Sequence, residues 1–142
     1  MVDNRKDMPL KHYTVTQAHY FDASEEMIKI KGVPETPHNY FGEYYAKFPS
    51  IGASKAFTGL QKFMKKYRNT NGHTWFPGYD PEDPPDILYT IMETASKDTF
   101  SYYGRRVPST QGTRAITNKD TGRTRIYRWV NDITRVNEED IY

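Results

Sequence analysis

Cysteine is absent from these 142 residues, so neither a disulfide framework nor thiolate chemistry is available. That fits a reducing compartment. No apolar run approaches the roughly 20 residues that a membrane span needs. The opening stretch, Met1 to Tyr13, mixes acids with bases and holds no apolar block, unlike a secretory signal. These features predict a soluble, intracellular chain with no membrane span. Enzyme signals are missing as well: there is no GxSxG, no GxGxxG and no phosphate-loop GxxxxGKS/T. The four histidines, His12, His19, His38 and His73, have no cysteine or carboxylate at ligand spacing. Asp80, Glu82 and Asp83 sit among prolines, which suits a rigid acidic turn better than an acid/base pair. The expectation is a non-enzymatic protein with no cofactor and no metal.

Aliphatic residues are sparse, whereas twelve Tyr and seven Phe make the chain rich in aromatics. That mix suits a β-rich domain whose tyrosines lie half buried with a wet hydroxyl. At this length one domain with a real core is expected. Net charge is only +2, so distribution matters more than the sum. Lys47 to Arg68 holds six bases and no acid; Lys97 to Arg135 holds nine bases against Asp98, Asp120 and Asp132. Asp22 to Glu43, Asp80 to Glu93 and the C-terminal end are acidic. Such segregation predicts a bipolar surface, with one face for a polyanion.

The clearest element is a helix after Phe48. Pro49 suits the first helical position, and Asn69-Thr70-Asn71-Gly72 supplies the stop. At about 100° per residue, Ala53, Ala56, Phe57, Leu60, Phe63, Met64 and Tyr67 share one arc. Lys55, Lys62, Lys65 and Lys66 occupy the other. The lysine face reads either as an ordinary solvated surface or as a surface shown to a polyanion.

Strands are expected at His12–Phe21, at Met27–Lys31 and at His38–Lys47 before the helix. Ile87–Glu93 and Thr99–Val107 read as a hairpin around the turn Thr94–Asp98. Pro108–Gly122 reads as an exposed loop. Arg123–Val136 reads as one last strand, bent near Asn131-Asp132, at an edge or shielded by a ligand because neither of its faces is cleanly apolar. Between the helix and the hairpin, residues 69–85 form a long connection rich in Pro and aromatics. Trp75, Phe76 and Tyr79 there either clamp the loop on the chain's own core or meet a protein partner. The expected class is α+β: a curled, partly open antiparallel sheet of about five strands with one main amphipathic helix. The expected divisions are an N-terminal arm at 1–37 with one or two short strands, a domain at 38–136 and an acidic tail at 137–142.

Lysines and arginines along a helix and its facing strands can neutralise phosphates without reading sequence. Arg123, Arg125, Tyr127, Arg128 and Trp129 interleave cations with rings that can stack on bases or enter a minor groove. The same pattern also suits a surface strand whose stems cover aromatic area.

Several stretches together carry a family likeness. They are Gly42-Glu43-Tyr44-Tyr45-Ala46-Lys47-Phe48-Pro49, Ala53-Ser54-Lys55-Ala56-Phe57, Ile91-Met92-Glu93-Thr94, Phe100-Ser101-Tyr102-Tyr103 and Arg125-Ile126-Tyr127-Arg128. Over roughly residues 38–136 the chain resembles the small chromosomal proteins of methanogenic archaea and their relatives in large DNA viruses. The resemblance implies a compact sheet with one helix that binds and bends duplex DNA without strong sequence preference. It implies phosphate contacts from Lys47, Lys55, Arg105, Arg106, Arg125 and Arg128. Lys62, Lys66, Arg123 and Trp129 join them as candidates from the charge pattern. The archaeal proteins are far more basic, and their loop before the last strand carries a tryptophan that Pro108–Gly122 lacks. Two functions follow as expectations. One is an architectural DNA-binding protein in a virion, or in the nucleus or cytoplasm of a host. The other is a minor capsid protein that uses the same fold to contact other virion proteins.

Overall fold

The computed structural model describes residues 9–30, 42–70, 73–108, 114–117, 119–122, 124–127 and 129–137. Its organising strand is β1, Lys11–Phe21. Tyr13 and Val15 are buried, and so are Ala18 and Tyr20, although a strict two-residue alternation cannot place all four on one face. A bulge between Val15 and Gln17 resolves the conflict by inserting one residue and switching the phase. β1 therefore keeps a single apolar face over its whole length.

One side of β1 pairs along its length with β6, Ile87–Glu93. The other side is shared. Its first four residues pair with β3, Glu43–Ala46, and its last three residues pair with β2, Met27–Lys29. β6 turns into β7, Thr99–Pro108, and β7 pairs with β10, Trp129–Val136. All these pairings are antiparallel. They give one six-stranded sheet in the order β10-β7-β6-β1-β2, with β3 beside β2 on β1, and the sheet does not close on itself. The expected α+β class, with a curled and partly open sheet, is what the chain adopts.

The single helix among the described residues, α1, runs Pro49–Tyr67 and lies on one face of the sheet, touching β3, β1, β6, β7 and β10. Its Gly52, Ala53, Ala56, Phe57, Leu60, Gln61, Phe63 and Met64 are buried, which matches the apolar arc of the wheel. Fully burying Phe57, Leu60 and Met64 contributes roughly 1.5–3 kcal/mol each. Tyr89 on β6 adds a directional contact, donating its hydroxyl to the Ala53 carbonyl at 2.7 Å. Small residues let the rings approach: a Cβ on Gly104 of β7 would overlap the Phe57 ring, and one on Gly52 would sit 3.0 Å from the Tyr13 ring.

After α1, β4 (Asn69–Thr70) and β5 (His73–Thr74) form a two-residue pairing. Phe76 then returns to the core between Phe63 and Tyr20, with ring centroids 5.7 and 6.2 Å away. The Tyr20 hydroxyl donates to the Pro77 carbonyl at 2.6 Å, and the Gln61 amide donates to that of Pro85 at 2.8 Å. The aromatic connection is thus folded onto its own domain.

The structure departs from three expectations. Residues within the expected N-terminal arm supply β1, the strand with the most neighbours, and β2 is its partner, so position 37 does not divide the structure. The expected loop Pro108–Gly122 contains β8, Arg114–Thr117, which pairs with β9, Thr124–Tyr127. The expected last strand is accordingly two strands. β9 is held by β8 and β10 by β7, and position 128 between them lies outside the described residues. Asn131 and Asp132 lie inside β10 rather than at a bend. As expected, β10 is an edge strand among the described residues.

Candidate nucleic-acid interface

The outer face of α1 shows Lys55, Lys62, Lys65 and Lys66 to solvent. Lys55, Lys62 and Lys66 fall within about 40° of one another and span about 16 Å along the axis, with Lys65 to one side. Among the described residues no carboxylate lies within ion-pair distance of any of the four. Lys55 is steadied by a 2.7 Å hydrogen bond from Nζ to the Tyr45 carbonyl of β3. Lys66 lies 5.2 Å from the Tyr67 ring centroid. Lys47, half buried, sits two residues ahead of the helix.

Between this lysine face and the apolar arc, α1 turns a polar shoulder toward β10. Asn131 donates from Nδ2 to Thr58 Oγ1 at 2.9 Å and to Ser54 Oγ at 3.5 Å. Directly across the ladder from Asn131 is Arg106 of β7. Residues opposite each other across a ladder share a face, so Arg106 also lies on the helix side. Its Nε is buried and has no hydrogen-bond partner. Burial holds the guanidinium below its ordinary pKa, and the nearby Tyr79 opposes that only in part. Tyr79 is in turn raised by burial, against the pull of Arg106 and Arg68. Its hydroxyl donates to the Gln61 carbonyl at 3.4 Å, which ties it to α1. Arg68, just past the helix, donates to the Lys65 carbonyl at 2.7 Å.

The other expected cations do not join this face. Arg105 follows Gly104, which meets Phe57, and precedes Arg106, so it projects from the opposite side of the sheet. There its Nε lies 4.0 Å from Asp86, whose carboxylate accepts the Tyr103 hydroxyl at 2.5 Å. The expected pair at the hairpin end is therefore split by the pleat. Arg125 stands on β9 opposite Ile116, in the separate two-stranded sheet. Arg123 and Arg128 lie outside the described residues. Trp129 opens β10 opposite Pro108. Of the residues named for a protein interface, Phe76 is corrected: at 2% exposure it belongs to the chain's own core. Trp75 and Tyr79 pack half buried against that core.

Sequence reasoning missed Ser54, Thr58 and Asn131. Ser54 and Thr58 are four residues apart on the helix, at the margin between the lysine and apolar arcs. That margin is where a hydroxyl can serve a neighbouring strand. Asn131 gave no signal, because its partner strand was not known.

The sheet face turned away from α1 is different in character. Phe21, Met27, Leu88, Tyr103 and Val136 line a groove of about 550 Å³ there, with Arg135 and Asn137 at its border. The Phe21 and Tyr103 rings are 5.7 Å apart, and Met27 is 42% exposed.

Among the described residues, no three His, Asp or Glu side chains are grouped to hold a metal, and no helix is long and apolar enough to cross a membrane. Comparison with family models, with curated proteins and with solved structures finds no match for the chain.

Proposed function

We propose that this protein is a non-enzymatic, architectural DNA-binding protein that holds duplex DNA through its phosphates, without sequence preference. The observation that carries the reading is the outer face of α1: four exposed lysines, no acid from Lys47 to Arg68 and no carboxylate in ion-pair reach among the described residues. A solvated helix face in a domain of net charge +2 ordinarily mixes both signs, and i, i+4 pairs of opposite charge would stabilise it. A face of one sign gives up those pairs and concentrates potential that attracts a polyanion. Association with a viral particle is the part of the reading that the family resemblance alone supports.

A salt titration of duplex binding tests it. About four phosphate contacts give a slope near −3.6 in log affinity against log salt. That is a loss on the order of 10²-fold between 50 and 200 mM. Duplexes of different sequence should superimpose. No binding to any duplex at low salt removes the reading.

A second reading, a minor capsid protein that contacts other virion proteins, is supported by the apolar groove opposite α1. Met27→Glu puts a charge at that groove, far from the lysines. It should block incorporation into particles while leaving the DNA titration unchanged; normal incorporation counts against this second role.

A further inference from the structure

We infer that Arg106 is the buried seat for a single phosphate group of the bound nucleic acid, set in the shoulder between α1 and β10. The inference rests on the polyanion reading above and gives it a fixed point. Exposed lysines on a helix can follow a phosphate backbone, but their long flexible stems do not define where it lies.

Arg106 differs from them in three ways. It is on β7, two residues past the last pairing with β6 at Gly104, and its backbone is held in the ladder with β10 opposite Asn131. Its guanidinium is half buried, its Nε has no partner, and among the described residues no carboxylate lies within ion-pair distance of it. A cation taken out of water without a counter-charge is costly, which favours a partner that brings one. The groups around it are of the right kind to receive an oxyanion. Asn131 lies directly across the ladder, and the Thr58 and Ser54 hydroxyls are tied to its amide. Tyr79 is close enough to act on the guanidinium, and Arg68 and Asp80 are close enough to act on Tyr79. Asp80 is the one acid among these neighbours, and it is not within ion-pair distance of Arg106. Lys62 and Lys65 stand above the same shoulder on α1, so an anion seated on Arg106 continues the lysine stripe inward. A guanidinium offers a planar fork that pairs with two phosphate oxygens at once, and such charge-assisted pairs are among the stronger hydrogen bonds.

The test follows the Arg106 Nε–Hε resonance of the full-length protein by NMR during two titrations, one with inorganic phosphate and one with a 12-base-pair duplex. A saturable shift is expected in both. A shift with phosphate alone overturns the assignment to nucleic acid, because the seat would then serve free oxyanions. No shift in either titration overturns the seat altogether. In parallel, Arg106→Lys keeps the charge and removes the fork. It should weaken duplex binding about tenfold, the order expected for a lost charge-assisted bond, with the melting temperature recorded as a check on folding. Lys29→Gln, on β2 and away from α1, serves as the control and should leave binding within twofold. Wild-type binding with Arg106→Lys unaffected would sink the seat and leave the general DNA reading standing. Absence of any duplex binding by the wild type would remove that reading instead.

Discussion

Gly104 of β7 and Phe57 of α1 meet so closely that the strand backbone itself forms the wall against which the ring packs. Phe57 is fully buried and has no room to retreat. Gly104→Ala should therefore destabilise the fold by about 1–3 kcal/mol, the usual range for overpacking a core. Chemical denaturation measures it. Adding Phe57→Leu should recover part of the loss, since the two changes act on one contact.

Gly59 makes the opposite case. A Cβ there meets the hydroxyl end of half-buried Tyr44, a group able to swing aside. Replacing a helical glycine by alanine ordinarily gains about 0.5–1 kcal/mol. Gly59→Ala should thus be neutral to stabilising in the same denaturation assay, well separated from Gly104→Ala.

Alkaline pH should unfold the protein in a defined window. Burial, with help from Asp22, raises Tyr20 from 10.0 to about 12; burial and then the bond to Asp86 raise Tyr103 from 10.0 to about 12. Burial also raises Tyr89. In the unfolded chain these phenols ionise near pH 10, whereas the folded chain keeps them protonated. Their contribution to stability is fully present below pH 10 and is lost as pH rises toward 12. Tyrosinate absorbance should show the exposed tyrosines titrating first and a second group appearing only with loss of near-ultraviolet dichroism. Tyr20→Phe and Tyr103→Phe should each flatten the fall of stability between pH 10 and 12.

The lysine face predicts graded effects on binding. Lys62→Gln and Lys66→Gln should each make the salt slope shallower by about one contact's worth, close to 0.9, and weaken binding to all sequences alike. Fluorescence anisotropy across a salt series reads both. Lys97→Gln, at the β6–β7 turn, should leave the slope unchanged. Equal slopes for all variants would show that the helix face is an ordinary solvated surface.

Asn131 links the last strand to α1. Asn131→Ala should cost about 1 kcal/mol, the usual worth of a partly buried hydrogen bond. Thr58→Ala should cost about the same. The double variant should cost less than the sum, which thermal denaturation of the four proteins can establish.

The helix was legible because its apolar residues recur at helical spacing, from Ala53 to Tyr67, and because Pro49 marks its start. The β6–β7 hairpin was legible from its alternation about a polar turn. Where one extra residue changed the phase, legibility failed. The bulge after Val15 puts Ala18 and Tyr20 on the face of Tyr13, so β1 read as a plain strand of an arm and not as the sheet's central member. Arg114–Thr117 reads as loop in the sequence because a four-residue strand with an arginine and a threonine at its ends has almost no apolar signature. The candidate site divided along the same line. The lysines of α1 were visible from spacing alone. That Arg105 and Arg106 part company, and that Arg106 faces Asn131, depends on which residue of β7 meets the helix, and Gly104 decides that through contact with Phe57.

The place of β1 also governs the order in which the chain can assemble. It precedes its partners in the chain, so Tyr13 must wait for Tyr44, and Tyr13 and Tyr20 must wait for Glu93 and Ile87, before both sides of the strand are satisfied. Pairings between residues so distant in sequence slow folding, because loop-closure entropy is lost before the contacts form. Among the described residues, helix α1 is the one large element built from local contacts alone, and its apolar arc can gather β3 and β6 as they emerge. Until β6 arrives, one edge of β1 has no partner strand, and that interval is when the nascent chain is most exposed to aggregation.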